Sequence, residues 1–94
     1  MRFQQKVIII TGRGSGIGRA TAEAFAREGA DVVVADYDAE SGQTVAKGIR
    51  DAGGSALFVQ TDVSDSLQVQ RMIAKTVEAF GRMYILFSTA AILA

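Results

Sequence analysis

The sequence of 94 residues contains no cysteine, no histidine, no proline and no tryptophan. Without cysteine there are no disulfides and no thiolate chemistry, and the loss of histidine as well removes the usual ligands of zinc and other transition metals. An imidazole acid–base catalyst is excluded on the same ground. The lack of proline leaves glycine as the strong punctuation, which suits a chain made of regular elements. Neither sign of charge is in excess: ten Lys plus Arg balance ten Asp plus Glu. No block of like charge runs along the chain, so general affinity for nucleic acid or a membrane surface is not expected. Long apolar runs are also missing. Four of residues 1–6 are polar or charged, and the run Val7-Ile8-Ile9-Ile10 is too short for a signal-peptide core or a membrane span. A cytoplasmic protein is the expectation.

What is present is an ordinary globular composition, with 49% apolar and 21% charged residues, too rich in Val, Ile, Leu and Phe for disorder. The length permits one domain, residues 1–94. Lys6-Val7-Ile8-Ile9-Ile10-Thr11 is a β-branched, continuously apolar run, the signature of a strand covered on both faces in a parallel sheet. A helical period follows from Gly16, with Ile17, Ala20, Ala24 and Phe25 on one face, until Gly29 supplies the stop.

The pattern then repeats. Asp31-Val32-Val33-Val34-Ala35-Asp36 reads as a second strand, residues 38–51 as a helix with Val45, Ala46 and Ile49 as its seam, and Ala56-Leu57-Phe58-Val59-Gln60 as a third strand. Ser64 is placed to cap a third helix with the stripe Val69, Met72, Ile73, Val77 and Phe80, ended by Gly81. Tyr84-Ile85-Leu86-Phe87-Ser88 is the fourth strand. The β-α-β-α-β-α-β order with short joints predicts an α/β, Rossmann-like half domain. Its parallel sheet runs 3-2-1-4 with helices on both faces.

The chemistry gathers at the strand ends. Thr11-Gly12-Arg13-Gly14-Ser15-Gly16-Ile17-Gly18 joins the first strand to the first helix. Glycine reaches positive φ in a tight turn and, without a Cβ, lets an anion approach the backbone N–H groups of a helix N-terminus. A pyrophosphate is the expected guest. The spacing is not G-x-G-x-x-G, because Ile17 holds the third glycine's place. Nor is it a P-loop, because no Gly-Lys-Ser/Thr follows. Asp36 ends the second strand, eighteen residues after Gly18, near the position where a dinucleotide-binding fold carries a ribose-binding acid. A carboxylate there accepts from both ribose hydroxyls and repels a 2′-phosphate, which favours NAD over NADP. Arg13 and Arg19 are the counterargument, since a guanidinium near the site accepts a 2′-phosphate, although surface positions near the pyrophosphate are expected for both. A strand-end Asp that merely opens a turn is the competing reading. Asp62-Val63 follows the third strand at the same carboxyl edge, where Asp62 also reads as a helix-entry residue.

These residues resemble the N-terminal part of the short-chain dehydrogenase/reductase family. The match consists of Thr11-Gly12-x-x-x-Gly16-Ile17-Gly18, then Asp36, then Asp62-Val63, and it covers nearly the whole chain but only about the first third of a family member. The resemblance implies that Gly12, Gly16 and Gly18 shape the pyrophosphate turn. Asp36 then holds the adenosine ribose, and Asp62 with the Val63 backbone meets the adenine edge. With Ser15, Ile17 and Ala90 these make up the expected cofactor-binding set, and no catalytic residue is expected. The family's fourth strand runs into Asn-Asn-Ala-Gly, where this sequence has Ser88-Thr89-Ala90-Ala91, and Ala91 puts a methyl beside the cofactor. The family's Tyr-x-x-x-Lys pair has no counterpart: four residues after Tyr37 and Tyr84 stand Ser41 and Ser88.

The expectation is thus a truncated NAD-binding half domain with no turnover of its own. Its apolar fourth strand, residues 84–88, is an edge that pairs with a second copy about a two-fold axis. Two alternatives stay open. One is a fragment of an NAD-dependent oxidoreductase, active only with a missing C-terminal part. The other is an engineered, non-binding scaffold that dimerises through the fourth strand.

Overall fold

The computed structural model describes residues 6–12, 16–81 and 84–88, with the backbone alone for residues 12, 16–18 and 84–88. Its elements are β1 (Val7–Gly12), α1 (Gly16–Arg27), β2 (Asp31–Asp36), α2 (Ala39–Asp51), β3 (Ser55–Gln60), α3 (Ser66–Phe80) and β4 (Tyr84–Ser88). The four strands form one sheet in the order β3-β2-β1-β4, and every pairing is parallel.

The β-branched runs form strands because both faces of the sheet are covered, so that each successive side chain finds an apolar layer. Val7, Ile8 and Ile9 are wholly buried. Ile8 and Ile10, with Val32 and Val34, pack under Ala22, Ala46 and Ile49 of α1 and α2. Val7 and Ile9, with Val33 and Ala35, pack on the other face against Met72 of α3. The split follows from handedness. The crossovers β1–β2 and β2–β3 advance in one direction, whereas β3–β4 returns past β1, so connections of one hand place α3 opposite the first two helices.

Three details of the helices differ from the sequence reading. The expected face of α1 included Ala20 and Ala24, both of which are exposed; Ala22 is buried, with Phe25 and Ala26 packed beside it. Alanines stand at 20, 22, 24 and 26 and so alternate between two opposite sides of the helix, and a methyl carries too little transfer energy to choose between them. In α3 the seam continues through Thr76, which is fully buried, while Val77 is 47% exposed. Positions 69, 72, 73, 76 and 80 form the helical line. Threonine is admitted to it because its hydroxyl donates to the Met72 carbonyl at 2.9 Å.

The third difference is the start of α3. Asp65, rather than Ser64, is its N-cap, accepting from the backbone N–H groups of Leu67 and Gln68. Ser64 is engaged elsewhere: its N–H and its hydroxyl both donate to Asp62 Oδ1, at 3.0 and 2.6 Å. α2 is capped in the same manner by Asp38, whose Oδ1 accepts from Glu40 N at 3.0 Å and Ser41 N at 3.3 Å.

One glycine sets how closely α2 approaches the sheet. A Cβ on Gly42 would overlap the Phe58 ring and come 3.0 Å from Asp36 Cβ. The first turns of α2 therefore rest directly on the ends of β2 and β3. No described helix is long and apolar enough to cross a membrane.

Candidate functional site

The strand order reverses between β1 and β4: the chain leaves β1 towards β2 and later returns to β1's other side. Ligands of open α/β sheets bind outside the carboxyl ends of the strands at such a point. Parallel pairing brings the strand ends into one row. Gly12 is the register partner of Asp36, Asp36 of Gln60, and Thr11 of Ser88. α1 begins at Gly16, so its first N–H groups, which have no intrahelical acceptor, and the positive end of its dipole stand at this edge.

Asp36 is 6% exposed. Its Oδ1 accepts from Asp38 N at 2.8 Å, and its carbonyl accepts from Thr61 N at 3.0 Å. It does open a turn, and that turn carries the cap of α2. Tyr37, immediately beyond, is 58% exposed, and its carbonyl accepts from Gln60 Nε2 at 3.2 Å. The ends of β2 and β3 are thereby tied together beside the acid.

Past β3, Thr61 is buried and its hydroxyl donates to Val59 O at 3.0 Å. Asp62 is half-buried, with Oδ1 engaged by Ser64 as described. Its own N–H donates to Gln68 Oε1 at 2.9 Å, and its carbonyl accepts from Asp65 N at 3.0 Å. Val63, between these anchors, is 40% exposed. Asp62 is the helix-entry residue that the sequence allows, but it also presents the Asp62–Val63 peptide at the sheet edge.

The expected site residues thus fall into two groups. Gly12, Gly16, Ile17, Gly18, Asp36, Asp62 and Val63 lie on elements that meet at the carboxyl edge. Ser15 and Ala90 lie outside the described residues, as do Arg13, Gly14, Thr89 and Ala91. Arg19, the other cation near the glycine turn, is exposed on α1 with Nε 3.3 Å from Glu23 Oε2. Sequence reasoning missed Gly42, Gln60 and Gln68. Of these only Gln68 left a local signal, since Asp65-x-x-Gln68 is the spacing of a capping box.

A groove of about 260 Å³ between α1 and α2, bordered by Glu23, Arg27, Ile49 and Gly54, lies at the opposite edge. It holds none of the expected site residues.

Comparison with known proteins agrees with this fold. Residues 6–94 match the family described as short chain dehydrogenase. The chain is 47% identical over 92 residues to the 2,5-dichloro-2,5-cyclohexadiene-1,4-diol dehydrogenase LinX of Sphingobium indicum, covering 98% of this chain and 37% of that protein. It is 41% identical over 92 residues to the meso-2,3-butanediol dehydrogenase of Serratia marcescens, covering 98% and 36%. Among solved structures, a short chain dehydrogenase/reductase from Burkholderia phymatum in complex with NAD is 42% identical, with a TM-score of 0.86 over 93% of this chain and 31% of that one. The hydroxysteroid dehydrogenase from Escherichia coli is 33% identical, with a TM-score of 0.88 over 93% and 37%. The chain therefore spans a little over a third of the length of the curated relatives it matches.

Proposed function

The chain belongs to the short-chain dehydrogenase family, and from that footing we propose that it binds NAD through the adenosine and diphosphate portions. The observation that carries the reading is the pairing of Gly12 with Asp36. The mouth of the glycine turn and the strand-end acid stand on neighbouring strands, about 4.8 Å apart. The residues at the edge fit such a guest. Amides at the start of α1 suit a diphosphate, the acceptor-only carboxylate of Asp36 suits a pair of ribose hydroxyls, and Asp62 with the Val63 N–H suits an adenine edge. Ser15, Ile17 and Ala90 complete the proposed set. NAD is favoured over NADP because a 2′-phosphate would face the Asp36 charge.

When bound, a nicotinamide cofactor accepts or donates hydride. The 94 residues hold no Tyr-x-x-x-Lys pair and no histidine, so the proposed role of this chain is to bind and orient the cofactor, without turnover. The coverage of the dehydrogenase relatives supports a second reading. In it, these residues form the cofactor-binding part of an NAD-dependent oxidoreductase whose acid–base residues are carried by a further segment. β4 ends the row β3-β2-β1-β4, and we propose its outer edge as the pairing surface for a second copy of the chain. A monomer by sedimentation at high micromolar concentration overturns that pairing.

Calorimetric titration with NAD tests the main reading. The proposed contacts are with the adenosine and diphosphate portions alone, so the expected Kd for these residues lies between about 1 μM and 1 mM. Asp36→Ala is expected to abolish the measured heat. No binding of NAD to the unmodified chain at millimolar concentration overturns the proposal.

A further inference from the structure

We propose that Gln68 is a positioning residue that fixes the Asp62–Val63 peptide for recognition of an adenine edge, an inference that rests on the dinucleotide reading above. Its basis is an altered capping box. Asp65 is the N-cap of α3 and Gln68 occupies the third helical position. There a Gln side chain ordinarily reaches back to the N–H of the N-cap itself. Here the Asp65 N–H is already taken by the Asp62 carbonyl at 3.0 Å. Gln68 Oε1 reaches three residues further and accepts from Asp62 N at 2.9 Å, while its Nε2 donates to Asp65 Oδ2 at 3.3 Å.

The two ends of the amide are chemically distinct. A backbone N–H requires an oxygen acceptor and a carboxylate requires a donor, so these partners admit one orientation of the side chain. Asp62 is consequently held at three points: its N–H by Gln68, its carbonyl by Asp65 N, and its Oδ1 by Ser64. With Asp62 so fixed, the peptide to Val63 has little freedom, although Val63 itself is 40% exposed. A carboxylate acceptor beside a backbone donor is the complement of adenine's amino group and N1. Hypoxanthine inverts both groups, offering a carbonyl oxygen and an N–H.

The test compares the unmodified chain with Gln68→Met and Gln68→Glu. Binding of NAD and of nicotinamide hypoxanthine dinucleotide is measured by calorimetry, together with amide hydrogen exchange at Asp62 and, as a core reference, at Ile9. The unmodified chain is expected to prefer NAD. In Gln68→Met that preference falls about fivefold or more, the worth of one hydrogen bond, and Asp62 exchange accelerates relative to Ile9. Gln68→Glu keeps an acceptor for Asp62 N but turns an oxygen towards Asp65 Oδ2, so it recovers preference and protection relative to Gln68→Met when Asp65→Asn is placed beside it to restore a donor to that contact. A purely structural role would lower the melting temperature and leave the base preference unchanged, and that result overturns the proposal. Unaltered Asp62 exchange in Gln68→Met overturns the clamp itself, whatever the chain binds. Failure of the unmodified chain to bind NAD, with Asp62 exchange still dependent on Gln68, overturns the dinucleotide reading and the recognition role while the clamp stands.

Discussion

The Phe58 ring occupies the space that a side chain on Gly42 would need. Gly42 is buried in the first turns of α2, and the Asp36 Cβ lies on the same side, 3.0 Å from where a Cβ would stand. The closeness of helix to sheet at the site is thus set by a missing methyl group.

Gly42→Ala is expected to lower stability by about 1–2 kcal/mol, because overpacking costs roughly 1–3 kcal/mol and the better helix propensity of alanine recovers part of it. For a domain of this size that is a fall in Tm of about 4–15 °C. Thermal unfolding followed by circular dichroism reads it. A Tm equal to or above that of the unmodified chain would show that the Phe58 ring swings aside at no cost.

Gly48→Ala, the same substitution two turns later in α2, is expected to have the opposite sign. A Cβ at Gly48 meets nothing within 4 Å, and alanine in a helix interior gains about 0.5–1 kcal/mol over glycine. The urea midpoint should rise with an unchanged m-value. The two variants form a matched pair in which propensity is constant and only the surroundings differ.

Asp38→Ala removes the N-cap of α2 and should cost about 1 kcal/mol, whereas Asp38→Asn keeps an acceptor for the N–H groups of Glu40 and Ser41 and should stay within a few tenths of the parent. Equal losses in both variants would mean that the charge near the helix N-terminus, rather than the cap bond, is what counts.

Asp36→Asn retains an oxygen for the Asp38 N–H and so preserves the turn, but it removes the charge. The affinity for NAD should fall roughly tenfold, the scale of a charge-assisted hydrogen bond. The preference for NAD over NADP should narrow by more than that, because the repulsion of a 2′-phosphate is also lost. Titration of both cofactors reads the ratio, and an unchanged ratio removes Asp36 as the discriminating group.

The alternation of strands and helices was legible in the sequence because each strand is a run of four or more apolar or β-branched residues and each helix has its own period. Gly12, Asp36 and Asp62-Val63 could be placed at the carboxyl edge because parallel strands bring their ends to one side. What escaped notice depends on partners distant in sequence. Nothing local to Gly42 announces the Phe58 ring. Ser64 and Asp65 are both good capping residues, and the choice was made by the claim of Asp62 on the Ser64 hydroxyl. Four alternating alanines gave α1 no preferred face, and Thr76 entered the seam of α3 through a bond to its own helix. Ser15 and Ala90 lie outside the described residues.

The central strand, β1, sends Ile8 and Ile10 to one layer and Val7 and Ile9 to the other. In most sheets a slip by one residue is punished at once, since it throws greasy side chains into water and charged ones inward. Here the punishment is nearly absent, because all four places are aliphatic and either layer would welcome its neighbour's occupants. Alignment must be enforced at the margins instead, by the Asp31 N–H on the Lys6 carbonyl at 2.9 Å and by the glycine that closes the strand. The strand is addressed by its borders rather than by its letters, and any change that loosens those borders invites a frameshift in space with little warning from hydrophobicity.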